Sequence, residues 1–229
     1  MLKKVMLLLS VCLVGLVLPA KADIIGPDCG GGNCFGSTYA LGYLATANPN
    51  VFNVFLRVDA TGYNQGSTDV LSAVALKLVA NGSSIDSVSL IGAPIPNGFS
   101  TTVETNLNAG GCTGPSAGWF CSAFTDPNPP PPPYGLEVAH AGDIYTFEWQ
   151  LTLTDPSALF TGAAAASVKA LYLTAEGQQH GLTSAPITLS PGGVPTPRDV
   201  EPVPEPSSLL LLGTGMVGVA AAIRRKLIA

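Results

Sequence analysis

Apolar and polar residues alternate most clearly in the segment IYTFEWQLTLT, residues 144–154. From position 145 onward every second residue is aromatic or aliphatic, and the positions between carry Thr, Glu or Gln. A period of two is typical of a β-strand with one buried face and one face in water. We therefore expect Glu148 to face solvent and the alternate set to line a core. That core-facing set comprises Tyr145, Phe147, Trp149, Leu151 and Leu153.

Other segments predict further short strands from β-branched, aromatic or alternating residues. They are 51–60, 68–80, 84–92, 167–175 and 183–190, with weaker signals at 37–47 and after Pro133. Asn81-Gly82 separates two of these segments and predicts a hairpin with a two-residue type I′ turn. The alanine run within 157–171 could form one or two helical turns, which is too short to change the fold class. About eight strands separated by Gly, Pro and Asn predict an all-β antiparallel sandwich or jelly roll.

The N-terminus has the features of an export signal. Lys3 and Lys4 precede an apolar run of about 14 residues, and Ala20 and Ala22 form an A-x-A-like cleavage site. A spanning helix needs roughly 17–25 residues, so a retained membrane anchor is only the alternative. We therefore expect a secretory signal peptide at residues 1–22.

Charge is distributed unevenly along the chain. Between Asp23 and Pro204 there are 4 basic residues against 14 acidic ones, which gives a net formal charge of −10. An acidic domain repels phosphate backbones and anionic membrane surfaces, so nucleic acid is not an expected partner. Residues 23–190 have the length of one domain that can bury a proper core.

Four cysteines remain after removal of the signal peptide, and an even count in an oxidising compartment indicates two disulfides. Three pairings are possible. We favour Cys29–Cys34 and Cys112–Cys121, because each pair would close a small glycine-containing loop. The alternative is a zinc site, but structural zinc usually uses C-x2–4-C pairs, and the spacings here are C-x4-C and C-x8-C. No metal or cofactor is predicted.

Residues that could carry catalysis are few. The two histidines, His140 and His180, adjoin predicted strand ends, where we expect exposed turn residues. Glu137, Asp143 and Glu148 lie close in sequence and could serve glycoside hydrolysis if the fold set them at the right separation. Because Glu148 belongs to the solvent face of its strand and no G-x-S-x-G elbow is present, we predict no catalytic residues and a non-enzymatic protein.

Two further features bear on binding. Trp119 and Phe120 precede Cys121 and are expected to fill the core; an exposed platform for sugar rings is the alternative. Residues 126–134 include five consecutive prolines and predict a stiff polyproline II surface loop. A second Pro-rich and acidic stretch, residues 191–202, predicts an extended linker that ends the domain.

The C-terminal segment Ser207–Ile223 contains no charge over 17 residues. As a helix it would be roughly 26 Å long, just enough for a thin bilayer. The basic cluster that follows, Arg224, Arg225 and Lys226, would keep that end in the cytoplasm. A Gly213-x-Gly215-x-x-Gly218 match to a dinucleotide fingerprint lies inside the segment, but no strand precedes it within a βαβ unit. We therefore predict one transmembrane helix at 207–223.

The combination of Val203-Pro204-Glu205-Pro206, a short apolar helix and a terminal basic cluster resembles the PEP-CTERM sorting tail. The resemblance implies a Gram-negative bacterium that makes extracellular polysaccharide. It also implies cleavage at or near Pro-Glu-Pro by an exosortase, a membrane-embedded cysteine transpeptidase. It covers residues 203–229 only, so it implies sorting and not an activity of the domain that precedes it.

These expectations define a four-part chain: signal peptide 1–22, β-sandwich ectodomain 23–190, linker 191–202 and sorting tail 203–229. The protein would cross the inner membrane, be held there briefly by its tail, and reach the cell surface or the extracellular matrix. We expect a non-enzymatic role associated with extracellular polysaccharide. A carbohydrate-active enzyme or a dedicated glycan-binding module on the same sandwich are the alternatives.

Overall fold

A computed structural model describes residues 24–26, 29, 34–79, 84–125, 135–160 and 162–192, the last range without the side chains of 162–165. Several sequence predictions lie outside these residues. They concern the signal peptide, the Asn81-Gly82 turn, the polyproline segment, nearly all of the linker and the whole sorting tail.

Eleven strands form one sheet within the described residues, and the predicted all-β class is confirmed. The strands are β1 (Ile24–Ile25), β2 (Thr38–Ala45), β3 (Val51–Asp59), β4 (Val70–Lys77), β5 (Ile85–Gly92), β6 (Phe99–Asn108), β7 (Gly111–Phe124), β8 (Leu136–Glu137), β9 (Ile144–Leu153), β10 (Gly162–Leu173) and β11 (Gln179–Pro191). A 3-10 turn, Pro156–Ala158, follows β9.

The sheet folds into a sandwich. One layer has the order β5-β9-β3-β2, and the other has β11-β10-β4-β7-β6; β1 pairs with β2, and β8 pairs with β4. The layers are joined by β2 and β11, which run parallel, whereas every other pair is antiparallel. Alternate residues of both layers meet in one core, for example Leu56 of β3, Leu76 of β4 and Val168 of β10.

Strand β9 has the predicted register. Phe147, Trp149 and Leu151 are fully buried, and Leu153 is nearly so. Tyr145 is half-buried and packs against the edge of the core. Glu148 lies on the opposite face as expected, where its Oε1 accepts a 3.3 Å hydrogen bond from Asn53 Nδ2.

The predicted hairpin between residues 68–80 and 84–92 is wrong. Strand β4 pairs with β10, β7 and β8, whereas β5 pairs with β9 in the other layer. The reason is burial on both faces of β4: Val74 and Leu76 enter the main core, while Ala73 and Ala75 enter a second cluster on the outside. A strand buried on both faces suits the interior of the sheet, where β4 lies between β10 and β7, whereas β5, with polar residues at alternate positions, occupies an edge.

Strands β6 and β7, which no sequence pattern predicted, form a long bent hairpin. Glu104 of β6 has a left-handed backbone with φ of +51°, and the register of the pair shifts across it and again between Thr105 and Leu107. The Glu104 carboxylate accepts hydrogen bonds from the backbone N–H of Ile85 on β5 (3.0 Å) and of Gly118 on β7 (3.1 Å). These bonds tie the two edge strands of the sandwich together at the bend.

The tip of this hairpin folds back over the outer face of its own layer. Cys112 and Cys121 form a disulfide with 5.6 Å between their Cα atoms, although nine residues of straight strand would span about 30 Å. Leu107, at the tip, is consequently fully buried. The outer cluster that it completes comprises Ala73, Ala75, Leu107, Trp119, Cys121 and Leu171.

Candidate functional site

A buried polar cluster, here called the tyrosine cluster, links β2, β10 and β11. The Tyr39 hydroxyl lies 2.6 Å from the Tyr172 hydroxyl and 3.1 Å from Thr183 Oγ1. The Tyr172 hydroxyl in turn donates to Ser37 Oγ at 2.9 Å. Burial raises the pKa of both phenols above the ordinary value, so the cluster is neutral and satisfied by its own members.

The tyrosine cluster extends to the surface through Tyr63, whose ring stacks on Tyr172 with 4.4 Å between centroids. The Tyr63 hydroxyl donates to Asp69 Oδ2 at 2.8 Å, and the same oxygen lies 2.6 Å from His180 Nδ1. Asp69 is buried, whereas the His180 side chain is 39% exposed. Burial first, and then the Asp69 carboxylate, raise the pKa of Tyr63.

The position of His180 differs from the expected turn residue. It lies in β11 and makes a hydrogen bond to a buried carboxylate that is 111 residues away in sequence. No local pattern marks this pair, because Asp69 lies in the loop before β4 and only the pairing of β4, β10 and β11 brings the two together. His140 does lie in a turn, where its Nδ1 is 3.1 Å from Asp143 Oδ2 and its side chain is 53% exposed.

A groove of about 710 Å³ opens beside the start of β9, here called the β9 groove. Its lining consists of Pro94, Ile95, Gly135, Leu136, Glu137, Ile144, Tyr145 and Thr146. Ile144 is 40% exposed, and the Glu137 side chain is also exposed, so the groove has both apolar walls and an acidic rim.

Tyr145 is fixed within the β9 groove. Its hydroxyl donates to the Glu137 backbone carbonyl at 2.7 Å and lies 3.4 Å from Asp143 Oδ1. Burial raises the pKa of Tyr145, and the nearby carboxylates of Asp143 and Glu137 raise it further. The phenol is therefore neutral and held in one position.

Two of the three carboxylates that could support glycoside hydrolysis, those of Asp143 and Glu148, do not converge. Asp143 immediately precedes β9 and is held against His140, while Glu148 is five positions along the strand and bonded to Asn53. Five extended residues span about 16 Å, beyond the roughly 5–9.5 Å between the carboxyl groups of glycosidases. The Tyr145 hydroxyl bonds to the backbone carbonyl of Glu137 and lies near Asp143, and both carboxylate oxygens of Asp143 are engaged within the fold.

The structure also contradicts the alternative that Trp119 and Phe120 form an exposed platform for sugar rings. Phe120 is fully buried in the main core, and Trp119 is only 8% exposed in the outer cluster. Lys169 covers the Trp119 ring with its Nζ 4.9 Å from the centroid, and Nζ donates to the Leu107 carbonyl at 3.3 Å. Burial lowers the pKa of Lys169. These residues lock the hairpin tip in place and leave no free aromatic face for a sugar.

The cysteines pair as expected. Cys29 bonds to Cys34 with 5.5 Å between Cα atoms, and Cys112 bonds to Cys121. The second pair does not close a separate loop; both residues belong to β7. Across the described residues no group of three or more His, Cys, Asp or Glu side chains could hold a metal ion.

A family model for the PEP-CTERM protein-sorting motif matches residues 202–226. The chain carries a PEP-CTERM sorting motif. The resemblance read from Val203-Pro204-Glu205-Pro206 and the basic cluster is thereby confirmed, and the motif is that of an exported protein sorted by an exosortase. In the part of the chain that the structure describes, no helix is long and apolar enough to cross a membrane. The predicted span 207–223 lies outside that part.

A comparison with curated proteins finds no similar sequence. Among solved structures, the collagen-binding domain of a Staphylococcus aureus adhesin is 11% identical with a TM-score of 0.32, covering 66% of this chain and 95% of that one. A cohesin module of a Clostridium perfringens glycoside hydrolase is 16% identical with a TM-score of 0.33, covering 70% and 98%. The major pilin subunit BcpA of Bacillus cereus is 11% identical with a TM-score of 0.32, covering 66% and 41%. Scores this low carry no inference about ligand or activity.

Proposed function

We propose that this PEP-CTERM protein is exported and cut by an exosortase-type membrane transpeptidase. Its non-enzymatic β-sandwich then associates with extracellular polysaccharide at the cell surface or in the matrix. The match at residues 202–226 carries the proposal. The cationic and apolar start of the chain supports export, and the two disulfides suit an oxidising compartment.

Each proposed step of sorting corresponds to one segment of the tail. The apolar segment 207–223 inserts in the inner membrane, and Arg224, Arg225 and Lys226 hold its end on the cytoplasmic side. Pro204 and Pro206 then lie at the outer boundary, where proline keeps a backbone extended and accessible to a protease. Thr214, Gly218 and Ala222 recur every fourth residue and would allow close contact with a helix of the enzyme.

The non-enzymatic role is favoured by how the candidate catalytic groups are used. Asp69, Asp143 and Glu148 each accept hydrogen bonds from side chains of the fold, and the five residues of extended chain between Asp143 and Glu148 exceed glycosidase spacing. A carbohydrate-active enzyme remains the second candidate, because Glu137 stands exposed at the rim of the β9 groove.

The intact mass of the extracellular protein tests the sorting part. In a host with an exosortase, we expect surface material that lacks everything from about Pro206 onward. Replacing Pro204-Glu205-Pro206 by alanines should leave the full-length chain in the inner membrane. The matched control replaces Pro195-Thr196-Pro197, a second Pro-x-Pro in the same stretch, and should be processed normally. A surface form that still includes Leu209–Ala229 would overturn processing and reduce the tail to an anchor.

Incubation of the purified full-length chain with the polysaccharide of the producing cells tests the second part. We expect co-sedimentation with the polymer and no release of reducing ends. Cleavage of the polymer would instead establish the enzymatic candidate, and failure to sediment would overturn the association.

A further inference from the structure

We propose that the β9 groove binds a cationic polysaccharide, that is, a polymer containing free amino sugars, with Glu137 as the residue that binds the ammonium group. This proposal deepens the proposed association with extracellular polysaccharide and rests on it.

The shape and the walls of the β9 groove suit a sugar ring. Its volume of about 710 Å³ lies within the roughly 300–1,000 Å³ that is common for small-molecule sites. Pro94, Ile95 and Ile144 present apolar surface, on which the C–H faces of a pyranose can pack. Tyr145, Thr146 and Glu137 also line the groove, so apolar and polar surface lie within one site.

The charge around the β9 groove selects a cation. Glu137 is exposed in the lining, and Asp143 lies directly behind Tyr145. The cation nearest by strand register is Arg57, opposite Thr146, but Arg57 is buried and paired with Asp59 at 3.3 Å. The local balance is therefore negative, as is the net charge of −10 for residues 23–204. An acidic field attracts an amino polymer and repels a uronic acid polymer.

The floor of the β9 groove is already in a fixed arrangement. The Tyr145 hydroxyl is bonded to the Glu137 carbonyl and Asp143, so the ring does not have to be ordered when a ligand arrives. Leu136 beneath it is buried, and its β8 strand is held by pairing with β4. A preformed site loses less conformational entropy on binding.

The test measures binding of the full-length chain in detergent micelles to four immobilised polymers. These are chitosan at a pH where its amines are protonated, neutral dextran, anionic alginate and the polysaccharide of the producing cells. We expect binding to chitosan that weakens with added salt, and little binding to dextran or alginate. Glu137→Gln should weaken chitosan binding by about tenfold or more, the loss of one charge-assisted hydrogen bond.

Glu176→Gln is the matched control, because Glu176 lies exposed in the turn before β11 and the change removes the same charge. It should alter binding by less than about twofold. Ile144→Ser, on the exposed wall, serves as a second variant should Glu137→Gln fail to fold.

Equal losses in Glu137→Gln and Glu176→Gln would show a net-charge effect and overturn the site. Binding to the native polymer but not to chitosan would overturn the amino-sugar class and leave the proposed function standing. Binding to none of the four would overturn both.

Discussion

The indole nitrogen of Trp149 donates a 2.9 Å hydrogen bond to Ser122 Oγ, and this bond crosses the core from β9 in one layer to β7 in the other. Ser122 Oγ also lies 2.6 Å from Thr101 Oγ1 on β6. One buried hydroxyl thereby connects three strands, and the largest side chain of the core has its only polar atom satisfied.

Removal of the Trp149 side chain should strongly destabilise the fold. Trp149→Ala is expected to cost about 3–5 kcal/mol of the free energy of unfolding, because it leaves a cavity in a close-packed core. Glu148→Ala on the other face should cost less than about 1 kcal/mol, since it loses one half-exposed hydrogen bond to Asn53. Urea unfolding followed by tyrosine fluorescence measures both. Similar costs for the two variants would contradict the register of β9.

The hydrogen bond itself is tested by a double-mutant cycle. Trp149→Phe keeps an aromatic ring and removes the donor, and Ser122→Ala removes the acceptor. We expect a coupling free energy of about 1 kcal/mol between the two changes. Additive losses would mean that the bond does not contribute to stability.

The disulfide in β7 should stabilise the bent hairpin more than the rest of the sandwich. The Cys112→Ala, Cys121→Ala double variant loses a cross-link whose entropic contribution is about 2.5–3 kcal/mol for a loop of this length. Leu107 would then be free to leave the outer cluster. Hydrogen exchange should accelerate in residues 105–119 and much less in β3 and β9. Uniform acceleration would argue against a local role.

Stability should fall in alkaline solution because of the buried phenols. The pKa values of Tyr39, Tyr63 and Tyr172 are raised in the folded chain, whereas an unfolded tyrosine ionises near pH 10. Below about pH 10 both states keep these protons and the stabilisation is complete. Above it only the unfolded state loses them, so the free energy of unfolding decreases with rising pH. Denaturant midpoints from pH 7 to 11 should show this decline, and it should be shallower in Tyr39→Phe. Unchanged slopes would contradict the burial of Tyr39.

Asp69 and His180 should contribute unequally to the stability of the fold. Asp69→Ala removes the partner of the buried Tyr63 hydroxyl as well as that of His180, and should cost about 2–3 kcal/mol. His180→Ala removes one bond from a half-exposed ring and should cost about 1 kcal/mol or less. Thermal unfolding of the two variants at neutral pH measures the difference. A larger cost for His180→Ala would reverse the roles assigned here.

Local sequence patterns predicted the positions of the strands better than they predicted which strands pair. The alternation in β9 and the β-branched runs of β3 and β4 mark strands, because side-chain period is a property of a short segment. Strand β7 was missed because its CTGPSAG portion has the composition of a turn, and β6 was missed because Ser and Thr suit an exposed edge strand but do not reveal one. The β4–β5 hairpin was wrong because an Asn-Gly signal is local, whereas the partners of β4 are set by burial of both of its faces in the folded chain.

The candidate site was predicted less well than the fold. His180 and Asp69 are separated by 111 positions, and the β9 groove is built from three segments that meet only in the folded chain. The sorting motif lies at the other extreme. Its parts are contiguous in the sequence, so the sequence alone identifies it.

The position of β11 makes closure of the sheet depend on the C-terminal end of the described residues. This strand is the last of the described strands in the chain, yet it belongs in the middle of the sheet, between β10 and β2. The ten strands that precede it can pair among themselves but leave a seam between the two layers until Leu189, Ser190 and Pro191 arrive beside β2. A chain that stalls before residue 189 therefore exposes two unpaired strand edges, those of β2 and β10, which are open to pairing with other chains.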